Sequence, residues 1–340
     1  PYDSVRYYKY FLRSAFLVED PHTGYIKAYV GGPDFRYFKW DAVTQQRKQV
    51  GSTIKPFLYT IAMQNGYSPC YEVENIPRSF DIPGDSVPWI PRSSGPKEYH
   101  GKMVTLKWGL AQSENYISAW LMEQFSPSAV TDLMKRMGIR SYIDPVPSIF
   151  LGTSDIKLEE MVGAYGTYAN KGVYIRPMYV TRIEDKNGNV ISRFTPMIEE
   201  VLSEEQAYLM LDLLRGVVLN GSGNRIRRVY NLMNQIGGKT GTTQNHSNGW
   251  FMGITPDLVG GVWSGWEDQA IHFETLGEGQ GANMALPIFA LFLKKVYADP
   301  QFGILEANEF ERPANFSIEL DCEKVKRESS RRLNYKRERY

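Results

Sequence analysis

The sequence predicts an α+β domain: a five-stranded antiparallel sheet built from both chain ends, with a helical region inserted between strands two and three. Three observations lead there. Near the start, two strand-like runs, residues 15–19 and 25–30, flank Asp20-Pro21-His22-Thr23-Gly24, a segment with hairpin chemistry. Near the end, residues 236–243, 249–255 and 258–266 read as three further strands divided by turn residues. Between the two groups, apolar residues recur mostly at helical spacing.

Residues 1–13 are basic and aromatic and read as a connector or lead-in strand. Gly31-Gly32-Pro33 stops the second strand, and the run Phe57-Leu58-Tyr59-Thr60-Ile61-Ala62-Met63-Gln64 is helix-forming. Pro56 lacks an N–H and belongs in a first helical turn, which places the helix start close to Ser52. Residues 66–101, rich in Pro, Gly and Ser, form a loop long enough to suggest a role in function. Residues 105–125 read as helix interrupted near Gln112-Ser113-Glu114-Asn115. Ser126-Pro127 opens another helix that Gly138 closes, and Ser154 with Asp155 reads as an N-cap for a helix over 157–170. Asn187-Gly188 signals a hairpin, and Ser203-Glu204-Glu205-Gln206 is a capping box for a helix through 218. A helix over 285–297 follows the last strands, and residues 311–340 form a basic, solvated tail.

Composition removes several classes of function. With 39 Lys and Arg against 38 Asp and Glu, there is no electrostatic case for a nucleic-acid partner. The longest apolar run, residues 286–293, is well short of the roughly 18 residues of a membrane span. Four histidines without ligand spacing argue against a metal site, and no cofactor motif is present. Cys70 and Cys322 are too few and too far apart to imply a disulfide framework. The chain opens without Met or a signal-peptide pattern, so it is expected to be a processed product or a fragment.

The chemistry centres on Gly51-Ser52-Thr53-Ile54-Lys55-Pro56. Residues three apart share a helix face, so the Ser52 hydroxyl and Lys55 amine can meet. A serine alcohol needs a base to become a nucleophile, and a desolvated lysine serves. The Ser52 N–H is a free donor at a helix start, suited to developing negative charge. The spacing alone is weak evidence, because Ser94-Gly95-Pro96-Lys97 and Ser154-Asp155-Ile156-Lys157 repeat it. In Gly238-Lys239-Thr240-Gly241-Thr242-Thr243, strand alternation sends Thr240 and Thr242 one way and Lys239 the other. Two hydroxyls and an ammonium suit a carboxylate; a surface edge guarded by Lys239 is the other reading. Gly241 marks a place where backbone passes close to something. In Ser113-Glu114-Asn115, Ser113 can relay a proton and Asn115 can hold an amide, or the triplet is an ordinary cap.

Ser-x-x-Lys, Ser-x-Asn and Lys-Thr-Gly in this order are the signature of active-site serine penicillin-interacting enzymes. Over residues 14–295 the sequence resembles the transpeptidase domain of class A (high-molecular-mass) penicillin-binding proteins. Glu19-Asp20-Pro21, Trp89-Ile90-Pro91, Trp250-Phe251-Met252-Gly253 and Gly261-Val262-Trp263 also carry the likeness. The resemblance implies the fold shared by serine β-lactamases and penicillin-binding transpeptidases, with a catalytic domain over residues 14–310. It implies cross-linking of peptidoglycan stem peptides through a Ser52 acyl-enzyme formed from a D-Ala-D-Ala donor, with β-lactams acylating the same serine. Lys55 then matches the base, Ser113 the relay and Asn115 the donor-peptide amide. Lys239, Thr240 and Thr242 match the carboxylate-binding strand, and the N–H groups of Ser52 and Thr242 match the oxyanion hole. It implies an extracytoplasmic site of action, with membrane attachment only through an N-terminal anchor outside this chain. Val50 and Arg92-Ser93 depart from the family's frequent proline and Asn-Tyr.

Two other functions compete. A β-lactamase or D,D-carboxypeptidase would use water as acceptor; the former needs a Glu-x-x-x-Asn base, and no such run follows Asn115. A penicillin-binding sensor would acylate without turning over.

Overall fold

The computed structural model describes residues 1–82, 84 and 86–337. Its centre is a five-stranded antiparallel sheet, numbered here β1 (Arg13–Glu19), β2 (Ile26–Val30), β3 (Gly237–Thr242), β4 (Asn248–Ile254) and β5 (Val259–Gly265). The spatial order is β3-β4-β5-β1-β2, so the two chain ends meet along β1 and β5, with Arg13 opposite Gly265 and Glu19 opposite Val259. This is the sheet the alternation pattern predicts.

Residues 1–13 differ from expectation. Tyr2–Tyr10 is a helix, α1, and not a lead-in strand. Both neighbouring strands end beside β1, β5 at Gly265 opposite Arg13 and β2 at Val30 opposite Phe16, so an extended segment ahead of it would find no partner. The helix instead docks by its end, where the Trp266 indole N–H donates to Tyr10 O at 3.1 Å and Lys9 pairs with Asp268 at 3.1 Å.

The middle of the chain is helical: α2 (Lys55–Gln64), α3 (Leu106–Ala111), α4 (Asn115–Gln124), α5 (Pro127–Arg136), α6 (Leu158–Ala169) and α7 (Glu204–Asn220). Helix α7 carries the expected capping box. Helix α6 is buried on nearly every side, because β1 and β5 cover one flank and α7 another. Its expected N-cap is not there. Asp155–Ile156 instead pairs as a short strand with Lys48–Gln49, and Lys157 takes the cap position without a side-chain bond. The Asn187-Gly188 hairpin forms, but as an exposed ribbon of Arg182–Glu184 and Val190–Arg193.

One face of the sheet packs against α2, α6 and α7; the other receives α8 (Leu286–Ala298), whose Phe289 and Leu293 are fully buried. The C-terminal stretch is not a free tail. Phe310 and Phe316 sit in the main core, and Cys70 and Cys322 form a disulfide that fastens α9 (Cys322–Arg337) to the loop after α2. A separation of 252 residues in sequence hides a neighbourhood in space.

Candidate active site

The expected helix start is a 3-10 turn, Gly51–Ile54, running straight into α2 with Pro56 in its first turn. Three bonds fix this turn. The Tyr165 hydroxyl donates to Thr53 O at 2.6 Å, the Trp250 indole N–H to Gln49 O at 2.7 Å, and the Gly51 N–H to Gly152 O at 3.0 Å. The backbone passes through a slot that only glycine permits. A Cβ on Gly152, whose φ is +73°, would lie 1.9 Å from Gly51 O, and one on Gly241 would lie 2.5 Å from Val50 O. Gly241 therefore does what its place in the strand suggests. Gly51 in turn faces β3, since a Cβ there would lie 2.9 Å from Thr242 N. The main chains beside Ser52 and at Thr242 thus run side by side.

Lys55 is fully buried. Its Nζ donates to Asn115 Oδ1 at 2.7 Å, to Ser113 Oγ at 3.4 Å and to the main-chain oxygen of Ser113. Lys239, also fully buried, donates to the same Ser113 Oγ at 2.9 Å and to Thr240 O at 3.1 Å. Burial of Lys239 removes the exposed-edge reading of β3. Ser113 joins the two amines because the chain turns sharply between α3 and α4, with φ of 59° at this residue. Burial pulls the Lys55 pKa from the ordinary lysine range to about 7, while the Glu114 carboxylate acts to raise it. Lys239 is pushed well below its usual value by burial and then by repulsion from Lys55. Like-charge repulsion between the two amines thus falls on Lys239.

Ser52, Ser113, Asn115, Thr240 and Thr242 line one cleft of about 1000 Å³, above the two buried lysines. All seven residues singled out in the sequence gather at this cleft, but the Lys55 amine bonds Ser113 and Asn115, and the Ser52 hydroxyl takes part in no hydrogen bond among the described residues. The Thr242 hydroxyl oxygen accepts from the Gly281 N–H at 3.1 Å, which leaves its proton to donate into the cleft.

Several neighbours carry no sequence signal. Ser222 lies 2.6 Å from the Thr240 hydroxyl, although its Ser-Gly-Asn context looks accidental. Ser94, in a second Ser-x-x-Lys, donates its hydroxyl to Ser113 O at 2.7 Å. Glu114 is fully buried, and its carboxylate accepts from Ser93 Oγ at 2.9 Å, Gly95 N at 2.8 Å, Tyr116 N at 3.1 Å and Ser94 N at 3.3 Å. It is both the cap of α4 and a clamp on the loop that forms one cleft wall.

A family model described as "Penicillin binding protein transpeptidase domain" matches residues 14–264. The chain is 32% identical over 301 residues to penicillin-binding protein 1A of Aquifex aeolicus, covering 87% of this chain and 40% of that protein. Against penicillin-binding protein 2D of Bacillus subtilis it is 31% identical, covering 83% and 41% respectively. The chain therefore spans about 40% of the length of the curated relatives it matches. Among solved structures, penicillin-binding protein 1A of Haemophilus influenzae superposes with a TM-score of 0.79 at 26% identity, covering 89% of this chain and 49% of that one. The Mycobacterium tuberculosis PonA1 protein in complex with penicillin V has the same fold, with a TM-score of 0.71 at 23% identity, covering 90% and 82%.

Proposed function

Because the chain belongs to the penicillin-binding protein transpeptidase family, we propose that it is a D,D-transpeptidase domain that cross-links peptidoglycan stem peptides and is acylated on Ser52 by β-lactams. The observation that carries this reading is the bonded chain Lys55–Ser113–Lys239 beneath a cleft that Ser52 lines. Neutral Lys55 takes the Ser52 proton as Oγ attacks the carbonyl of the penultimate D-Ala. The N–H groups of Ser52 and Thr242 receive the developing oxyanion. Asn115 holds the donor's amide, and Lys239, Thr240 and Thr242 hold its terminal carboxylate. A proton returns through Lys55 and Ser113 to the leaving D-Ala nitrogen, the C–N bond breaks, and an ester to Ser52 remains. An acceptor amine attacks that ester, gives its proton to Lys55 and leaves as the new amide, restoring Ser52. The site acts outside the cytoplasm in this reading, and the Cys70–Cys322 disulfide suits an oxidising compartment.

The hydrolase alternatives need a base that activates water at the ester. Among the described residues lining the cleft there is no aspartate or glutamate, and the nearby Glu114 carboxylate is occupied by four donors. Water attack is therefore slow. The test is a fluorescent-penicillin time course with mass spectrometry of the labelled peptide. One adduct per chain on Ser52, lasting many minutes, is expected, and a folded Ser52→Ala variant takes none. With a peptide donor, an added D-amino acid should divert the acyl group from acid to amide. Rapid repeated penicillin turnover without an amine-dependent product would make the chain a hydrolase.

A further inference from the structure

Among the described residues that line the cleft, Arg92 carries the one permanent charge and there is no carboxylate; His246 stands in another wall, and Lys55 and Lys239 lie beneath. Arg92 is exposed, and among the described residues its guanidinium takes part in no hydrogen bond or ion pair, whereas its backbone is tightly held. The Asn115 Nδ2 donates to Arg92 O at 2.8 Å. The next three residues are pinned by Glu114 and Ser113, through Ser93 Oγ, the Ser94 hydroxyl and the Gly95 N–H. Across the cleft, the buried Nδ1 of His246 has no partner among the described residues.

A guanidinium rooted on a held backbone and, among the described residues, bonded to nothing else is free to pair with a planar anion. Long cationic side chains without a purpose are ordinary on a surface. This one is set apart by being built into the wall of a substrate cleft, on the main-chain carbonyl that Asn115 grips. Under the transpeptidase reading, on which this step rests, the terminal carboxylate of the donor goes to Lys239, Thr240 and Thr242. Arg92 is joined instead to Asn115, on the acyl side of the scissile bond. The geometry points to a second carboxylate subsite at Arg92, which selects acyl donors bearing a free carboxylate upstream of D-Ala-D-Ala over donors in which that group is amidated.

The experiment uses the whole chain and two synthetic D-Ala-D-Ala peptides, identical except that an acidic side chain upstream is a carboxylate in one and a carboxamide in the other. Each is measured by its own turnover and by its power to slow fluorescent-penicillin labelling of Ser52, in wild type, Arg92→Gln and Arg92→Glu. Wild type should favour the carboxylate donor by about two- to five-fold, the worth of one solvent-exposed ion pair. Arg92→Gln should bring the ratio near one, and Arg92→Glu should reverse it. A wild-type ratio near one, or an Arg92→Gln variant that weakens both donors equally, would overturn the subsite and leave Arg92 as scaffold. If neither donor turns over or slows labelling while penicillin still acylates Ser52, the D,D-donor reading falls, and the subsite with it.

Discussion

Lys55 is a base only while neutral. With its pKa near 7, about a tenth of the lysine is neutral one unit below that value and nearly all of it one unit above. Penicillin acylation should therefore rise between roughly pH 6 and 8 and level off on the alkaline side. Glu114 is the group that works against this lowering. Glu114→Gln should move the midpoint of the pH–rate profile toward acid, while the plateau falls because the loop over residues 93–95 loses charged bonds. A midpoint that stays put would show that the carboxylate acts only as a clamp. Thr242→Val removes one proposed donor to the incoming carboxylate, so acylation should slow by about ten- to a hundred-fold, with a modest fall in melting temperature because the Gly281 N–H loses its acceptor. An unchanged rate would place the carboxylate elsewhere. The grouping of Ser52, Lys55, Ser113, Asn115 and the Lys239 strand was legible because the proposed chemistry needs those residue types at those spacings. Glu114, Ser222 and Arg92 were not, since their partners arrive from distant loops and their local context is that of a cap or a turn.

At the scale of elements, the turn bearing Ser52 depends on a slot between loops. Gly152 adopts φ +73°, and a Cβ there would run into Gly51 O. Gly152→Ala should lower the melting temperature by at least roughly 1–4 °C, from backbone strain of about 1–3 kcal/mol alone. It should also cut the acylation rate beyond what instability explains, since the turn bearing Ser52 must shift. Full acylation in this variant would show that the turn is set by Tyr165 and Trp250 alone. Hairpins, the capping box and the break between α3 and α4 could be read because their signals are local. The Ser154-Asp155 cap failed for the opposite reason: Lys48–Gln49, far away in sequence, pairs with Asp155–Ile156. Residues 2–10 contain nothing that forbids a helix, and the ends of β5 and β2 beside β1 leave them no strand to pair with.

For the whole molecule, the sheet from two chain ends was visible in the alternation of its strands, and the closure of the C-terminal segment was not. Cys322→Ser, or reduction, should cost about 2–5 kcal/mol of stability, read as a lower melting temperature under reducing conditions. Ser52 labelling at room temperature should persist, because the bond lies away from the cleft lining. Loss of labelling on reduction alone would tie the C-terminal segment to the site. The pairing of β1 with β5 also sets an order in time. A chain made from its N-terminus presents β1 and then Ser52 long before β5 exists. At about 5–20 residues per second the interval is roughly 10–50 s. For most of it the sheet has no centre and the Lys239 strand has not been made, so the site proposed around Ser52 is incomplete. A nascent chain is therefore expected to take no penicillin label until the last strands of the sheet have been made.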